Sequence, residues 1–330
     1  MQECRDVLWE DPLYGGVWIK EPVILALLES PVLRRLRGVD QAGYEPLYGK
    51  RRKVNRLEHS IGVYLLLNHY NASIEEQIMG LIHDVSHLCF SHCADYALKN
   101  GSEKTQSLQD DLFNSFIKRS KIGEIIERYG FDFNYFLNKK NFPLQEKELP
   151  DICADRIDYS LRDALSCGVI TEKDKNEFLE NLIVENQNWI FKNLEIAKQY
   201  VHMFSIMNER YSGISAAIMF RVVGDFLKYS LKSKYITEED LYTVDDFVIQ
   251  KIKQFVKGDE ILAQHWERMN NRAKVIIDPI NGVTVFCKSR VVDPLFKENG
   301  QLKRVSDVDE KWKVFVKRES KPKQYSLSFL

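Results

Sequence analysis

GLIHDVSHLCFSH, residues 80–92, decides how this chain is read. Apolar Leu81 and Ile82 run straight into His83 and Asp84, and His87 and His92 follow closely. The chain has only seven histidines, and five of them (His59, His69, His83, His87 and His92) fall between residues 59 and 92. Imidazole is costly to bury unless it is paired or ligating, so a dense group in apolar helical surroundings needs a partner. An imidazole and a carboxylate on consecutive residues can offer N and O ligands to one ion from a single backbone segment. Such a mixed set suits a divalent metal such as Mn, Fe, Mg, Zn or Co. A His-Asp dipeptide alone is weak, and the remaining ligands must come from elsewhere. His69, at the polar helix end LNHYN, reads as a surface bystander.

Upstream, Asn55-Arg-Leu-Glu58 and Ser73-Ile-Glu-Glu76 each place a capping side chain three residues before a Glu, as a helix start does. The first opens an apolar-periodic run to Leu67 with His59 in its first turn. The second leads into IMGLIHDV. Two antiparallel helices would bring His59 near His83. Earlier still, DPLYGGVWI (residues 11–19) reads as a turn and a short strand, and residues 22–43 as a helix interrupted at Pro31. Residues 44–53 read as a polar loop.

Downstream, ICADRIDYSLRDA (residues 152–164) reads as a helix. Asp155, Tyr159 and Asp163 recur every four residues on one face, and Cys153, Ile157, Leu161 and Ala164 line the other. Asn138–Pro150 is the most loop-like stretch. Thr171-Glu-Lys-Asp174 and Thr243-Val-Asp-Asp246 mark further helix starts. Residues 190–233 read as one or two long apolar helices and residues 246–257 as another. After about residue 270, two apolar runs flank Asn281-Gly282, a hairpin signal. Residues 311–317 alternate as an edge strand would, and the Lys-rich stretch 311–323 reads as charge protection of that edge. The expected fold is mainly α: a helical catalytic body over residues 1–260 with its core motifs in 41–165. A short N-terminal strand precedes it. A small β-rich, mixed α/β extension over residues 261–330 packs on the same domain.

Bulk properties narrow the class. The chain has 330 residues, 44% hydrophobic and 29% charged, enough for a sizeable core. A net charge of −1 excludes binding of nucleic acid through overall charge. Cys4, Cys89, Cys93, Cys153, Cys167 and Cys287 are irregularly spaced with no CxxC pair, as free thiols in a reducing compartment are. The N-terminus MQECRDVLWEDP is charged from its third residue, and no apolar stretch nears ~20 residues. Neither a signal peptide nor a membrane contact is expected, and the expected location is cytoplasmic.

RLEHSIGV (56–63), the stretch 80–92 and ADRIDYSLRDA (154–164), in that order, resemble the HD-domain phosphohydrolases. The closest branch is the deoxynucleoside triphosphate triphosphohydrolases, with the SAM-and-HD-domain type and its bacterial relatives. SPVLRRLRGVDQAG (30–43) is similar to that family's N-terminal helix. The resemblance, strongest over residues 11–165, implies an HD-domain helical bundle in which His59, His83, Asp84 and Asp155 hold the metal ion. It implies His87 and His92 at the phosphate site, His92 as the general acid, and Arg56 on phosphate oxygens. It implies Gln41 reading the sugar, Arg156, Tyr159 and Asp163 lining the nucleotide pocket, and Tyr211 packing on the sugar. A nucleotide substrate and a homo-oligomer, dimer or tetramer, follow from the same likeness.

The implied reaction is hydrolysis of a dNTP to deoxynucleoside and tripolyphosphate. Its chemistry stands on general grounds. A divalent ion lowers the pKa of its water to roughly 7, and the resulting hydroxide attacks phosphorus. Arg56 offsets phosphoryl charge, and a protonated histidine donates to the leaving oxygen.

One departure matters. That branch often carries a further histidine shortly after the His-Asp pair. Here the stretch TQSLQDD (105–111) puts Leu108 or Gln109 in its place, and neither donates a proton as an imidazolium does. A phosphatase or phosphodiesterase on another nucleotide or small phosphoester is therefore the alternative enzyme. A catalytically weak nucleotide sensor is the alternative of another class, and the complete ligand set argues against it.

Other signals carry less. His83 and His87 share the HExxH spacing, but Asp84 stands where that motif needs Glu. Cys89, His92 and Cys93 lack the second ligand pair of a structural zinc. GYEP at 43–46 matches the cyclic-dinucleotide phosphodiesterase signature only faintly. Arg34, Arg35, Arg37, Lys50, Arg51, Arg52 and Lys53 read mostly as solvated surface, with an allosteric nucleotide site or contact with nucleic acid as alternatives.

Overall fold

A computed structural model describes residues 6–44, 46–49 and 54–330. Cys4 and the cations Lys50, Arg51, Arg52 and Lys53 lie outside the described residues. The Asn55 side chain accepts from the Glu58 amide at 3.0 Å and starts the helix Arg56–His69. Ser73 accepts from the Glu76 amide at 3.2 Å and starts Ile74–Ile82. Each cap satisfies an amide that a helix start leaves free. The two helices pack on each other, and Ala154–Ser166 packs on Arg56–His69. At Gly62 an added Cβ would lie 2.1 Å from both Arg162 Nη2 and Asp158 Oδ1, so glycine is what lets these helices approach so closely.

The architecture is mainly α. The apolar stretch 190–233 resolves into two helices, Leu194–Ser212 and Ile214–Lys232, joined at Gly213. At the N-terminus, Val7–Asp11 pairs antiparallel with Gly15–Ile19, so the expected strand has a partner. Strands Leu182–Glu185, Asn188–Phe191, Leu295–Glu298 and Gln301–Arg304 form one sheet in that order. Three apolar clusters make the core. One holds Ile157 and Tyr200, a second Phe90 and Phe226, a third Ile61 and Ile82. Cys89, Cys93, Cys153 and Cys287 are buried free thiols. Among the described residues no helix is long and apolar enough to cross a membrane.

Three local expectations are corrected. Val275–Ile277 and Val283–Cys287 do not form a hairpin with each other; both pair antiparallel with Lys323–Phe329, which lies between them. Asp278 Oδ1 accepts from the amides of Ile280 and Asn281 at 3.1 and 2.9 Å. That side chain builds a wider turn around Asn281-Gly282 and leaves room for the third strand.

Residues 311–317 lie in a helix, Glu310–Glu319, not in an edge strand. The Asp309 side chain caps it through the Trp312 amide at 3.0 Å, and the Trp312 and Phe315 rings stack at 4.8 Å. Side chains three apart share a face of a helix but lie on opposite faces of a strand, and these contacts outweigh the alternating pattern. Lys323 then opens the central strand of its sheet, where no charged edge is needed. Finally, the helix expected from Thr243 is Asp245–Lys253; the Thr243 hydroxyl donates to the Asp240 carbonyl at 2.6 Å instead of capping it.

Candidate functional site

The His-Asp elbow and two helices bring four expected residues together. His59 Nε2 lies 2.9 Å from Asp155 Oδ1 and 3.9 Å from Asp84 Oδ2. His83 Nε2 lies 3.4 Å from Asp84 Oδ1 and 3.6 Å from Asp155 Oδ1. His83 Nδ1–H donates to the Gly80 carbonyl at 2.8 Å, which turns Nε2 into the cluster. There Nε2 is buried without a hydrogen-bond partner. An unmade bond of this kind costs roughly 1–3 kcal/mol, and an ion among these atoms would relieve it. Ligand atoms of His59, His83 and Asp155 all lie within 4.8 Å of one another, a set that could hold a divalent ion.

The charges are interlocked. Burial opposes protonation of His59, but hydrogen bonds to Asp155 and Asp158 outweigh it and push its pKa up to about 10. Burial also works against ionised Asp155, yet His59 and His83 hold its carboxyl well below the ordinary range. Asp84 is held down against burial chiefly by Arg56. A cation arriving here meets two carboxylates that are already ionised.

Behind His59 stands a residue the motif reading passes over. Asp158 Oδ2 accepts from His59 Nδ1 at 2.8 Å, and the same carboxylate takes Arg162 Nε at 3.0 Å and Nη2 at 2.8 Å. Tyr14 OH donates to Asp158 Oδ1 at 3.1 Å, and Arg162 also reaches Asp11 Oδ2 at 3.1 Å. The N-terminal hairpin therefore braces the ring that faces the site. Asp158 lies three residues after Asp155 in the quoted helix, and its partner Arg162 follows one turn later. That pair was the available signal.

Arg56 makes three hydrogen bonds. It donates through Nη1 to Asp84 Oδ2 at 2.5 Å, through Nε to Ser91 Oγ at 2.7 Å, and through Nη2 to the Gln41 carbonyl at 2.9 Å. Arg35, expected as solvated, instead donates to the carbonyls of Val85 at 2.9 Å, His87 at 2.7 Å and Thr243 at 2.9 Å. Burial lowers its pKa to about 10. Phe90 and Ser91 follow with φ of 58° and 48°, left-handed values uncommon for residues other than glycine. Buried Asp245 supports that turn, since its carboxylate accepts from the Phe90 amide at 2.7 Å and from the Asp40 amide at 2.7 Å.

His87 and His92 stand edge to face, with ring centroids 5.1 Å apart. His87 Nε2 lies 3.4 Å from Asp84 Oδ1, and His92 Nδ1 lies 3.4 Å from Asp95 Oδ2. Burial lowers the pKa of both, helped by Arg56 at His87 and by Arg290 and Arg56 at His92.

His59, His83, Asp84, Asp155, Arg56, His87 and His92 border one cavity of about 440 Å³. Tyr159, Tyr211, Asp163, Arg156 and Gln41 border it too. The Tyr159 and Tyr211 rings meet edge-on at 5.2 Å, and Gln41 Oε1 is buried without a hydrogen-bond partner. The cavity lies where the three core clusters meet: Tyr159 comes from the first, Met219 and Phe220 from the second, Met79 and Phe113 from the third. Gln109 faces it while Leu108 is buried in the core, so glutamine is the residue at the departure from the family pattern. His69 is exposed and apart from the site. Lys288 and Arg290 line the cavity from the C-terminal part, unannounced by any motif.

Comparison with known proteins places the chain. It is 33% identical over 256 residues to the uncharacterized protein YdhJ of Bacillus subtilis, a match covering 77% of each chain. It is 35% identical over 178 residues to the metal-dependent phosphohydrolase cns2 of Cordyceps militaris, covering 54% of this chain and 51% of that one. The chain belongs to the HD-domain phosphohydrolase superfamily. No family model matches it. The crystal structure of a phosphohydrolase from Bacteroides thetaiotaomicron shares the fold, with a TM-score of 0.69 over 99% of this chain and 100% of that one at 15% identity. A more distant relative is the deoxynucleoside triphosphate triphosphohydrolase SAMHD1 of Gallus gallus. It is 27% identical over 152 residues, 39% of this chain and 25% of that one. This likeness supports a metal-dependent phosphohydrolase.

Proposed function

We propose that this protein hydrolyses nucleotides, and specifically dNTPs, to deoxynucleoside and tripolyphosphate. One observation carries the reading. A single cavity joins the cluster of His59, His83, Asp84 and Asp155 to a wall of Tyr159, Tyr211, Asp163 and Gln41. The first end suits a phosphate and the second a sugar, while Ala216, Met219 and Phe220 offer apolar surface to a base. At about 440 Å³ the cavity falls within the usual range for small-molecule sites. The likeness to a named deoxynucleoside triphosphate triphosphohydrolase supports the choice of substrate.

His59, His83, Asp84 and Asp155 would hold a divalent ion, which when bound supplies a water acidic enough to attack phosphorus near neutral pH. Asp158 fixes the His59 ring so that Nε2 faces the site. Arg56 keeps Asp84 ionised and oriented. Asp95 holds His92 at Nδ1 and leaves Nε2 for the leaving oxygen. Burial keeps His92 neutral and Arg290 and Arg56 add to it; substrate phosphate would offset those cations and raise its pKa toward that of a working proton donor. The 261–330 extension is part of the same domain in this reading, because Lys288 and Arg290 border the cavity. The proposal also includes a cytoplasmic homo-oligomer. Buried free thiols support the compartment, and light scattering in solution tests the assembly.

Product analysis tests the reaction. Metal-stripped protein should be inactive, and Mn, Mg, Fe or Co should restore release of tripolyphosphate from dNTPs. Asp84→Ala and His83→Ala should abolish turnover with the circular dichroism spectrum retained. Gln109 at the cavity wall favours a second reading, a phosphatase or phosphodiesterase on another nucleotide or phosphoester. Orthophosphate from monophosphates, with no tripolyphosphate from any dNTP, would replace the first reading by the second.

A further inference from the structure

Several cations at the cavity wall are already neutralised. Arg56 pairs with Asp84 at 2.5 Å, Arg156 with Glu146 at 2.8 Å, and Lys139 with Asp110. Lys288 and Arg290 are different. Both follow the strand Val283–Cys287 and border the cavity, yet neither forms an ion pair among the described residues.

Their backbone is anchored. The Tyr96 hydroxyl donates to the Phe286 carbonyl, and the Ser289 hydroxyl donates to the Glu319 carbonyl. Arg290 Nη2 donates to Gln106 Oε1 at 3.2 Å, and buried Gln106 donates in turn to the Tyr96 hydroxyl at 3.1 Å. Two half-buried cations are thus held on one wall, side by side, by packed structure. Burial and the neighbouring Arg290 both work against the charge of Lys288. Such an arrangement is costly unless an anion joins it.

We propose that Lys288 and Arg290 grip the phosphates beyond the one attacked, and so select polyphosphate substrates over monophosphates. The inference rests on the nucleotide phosphohydrolase reading and names the part of the substrate these residues recognise. The attacked phosphate has Arg56, His87 and His92 beside it. The remaining phosphates of a triphosphate need their own donors, and among the described residues no carboxylate pairs with these two cations. They also bring positive charge to a site where Gln109 cannot supply it.

Calorimetric titration of the Mn-loaded protein with tripolyphosphate and with orthophosphate, metal in constant excess, tests the proposal. Lys288→Gln removes a charge that no protein group pairs, so the fold should be retained. Arg290→Gln keeps a donor near Gln106. Each variant should bind tripolyphosphate about tenfold more weakly or worse, with orthophosphate affinity within about twofold of wild type. Unchanged tripolyphosphate binding, or equal losses for both anions, would overturn the assignment. If the wild type hydrolyses no nucleotide but the selective loss appears, the clamp stands and the proposed function falls. If dNTPs are hydrolysed and Lys288→Gln binds tripolyphosphate as the wild type does, the clamp alone falls.

Discussion

Asp158 accepts from His59 Nδ1 at 2.8 Å with the same carboxylate that grips Arg162 through both of its oxygens. One buried group therefore sets the orientation of a candidate metal ligand and neutralises a buried cation. Asp158→Asn should weaken metal binding by about 10–100-fold, the usual cost of losing a partner behind a ligating histidine. Stability should fall by roughly 3 kcal/mol, because Arg162 loses charge compensation. Metal titration and thermal melts of the same variant check both. Wild-type metal affinity in a folded Asp158→Asn protein would refute the orienting role.

Gly62 sits where a Cβ would lie 2.1 Å from the Asp158–Arg162 pair. Alanine is a better helix former than glycine by about 0.5–1 kcal/mol, so propensity alone predicts a gain. The clash should reverse the sign, giving a net loss on the order of 1–3 kcal/mol. Gly80→Ala meets a flexible atom, Leu67 Cδ1, and should cost less. Urea unfolding of the two variants orders them, and a Gly62→Ala protein as stable as wild type would contradict the packing described.

Arg35 holds three carbonyls, two of them in the turn between His83 and His92. Arg35→Met keeps the apolar stem and removes the donors. At constant slope the urea midpoint should drop, corresponding to a stability loss of about 1–3 kcal/mol, and turnover should fall with it. Exposed Arg34→Met serves as the control and should stay within about 0.5 kcal/mol.

Glu76 gives a pH signature away from the centre. Its carboxylate accepts the Leu144 and Gln145 amides at 3.0 Å each, and burial raises its pKa from 4.5 to about 7. The unfolded chain loses this proton first, so between those values the folded state binds more protons and stability falls as pH rises. The contribution is intact below pH 4.5 and lost through about pH 7, a swing of roughly 3 kcal/mol. The stability difference between wild type and Glu76→Gln should trace that fall. A difference flat across this window would show that the carboxyl titrates normally in the fold.

Helix caps are legible in the sequence because they act locally: Asn55, Ser73 and Thr171 each bond an amide three residues on. The grouping of His59, His83, Asp84 and Asp155 is legible through ordered motifs, since apolar positions fix the helix faces of His59 and Asp155 and the helix end from which His83 and Asp84 follow. Asp158 is harder. Its task depends on Gly62 and Asp11, which belong to other elements. Lys288 and Arg290 are invisible to pattern reading, because nothing local distinguishes them from surface cations. At 311–317 two local codes compete, and the alternating one loses to an Asp309 cap and a Trp312–Phe315 stack. At Asn281-Gly282 a turn signal is genuine, but a strand from the chain's far end takes the place between its arms.

The centre also carries a timetable. His59 and Asp155 are 96 residues apart, and Asp245 reaches Asp40 across 205. A chain growing from the ribosome presents His59 and His83 early but still lacks Asp155 and Asp158. The left-handed turn at Phe90 waits longer, for the Asp245 side chain that takes its amide. Contacts of such long sequence separation form late in folding. A nascent chain arrested before residue 245 would therefore display the histidine-rich helices without their finished geometry, and the finished site would wait for Asp245.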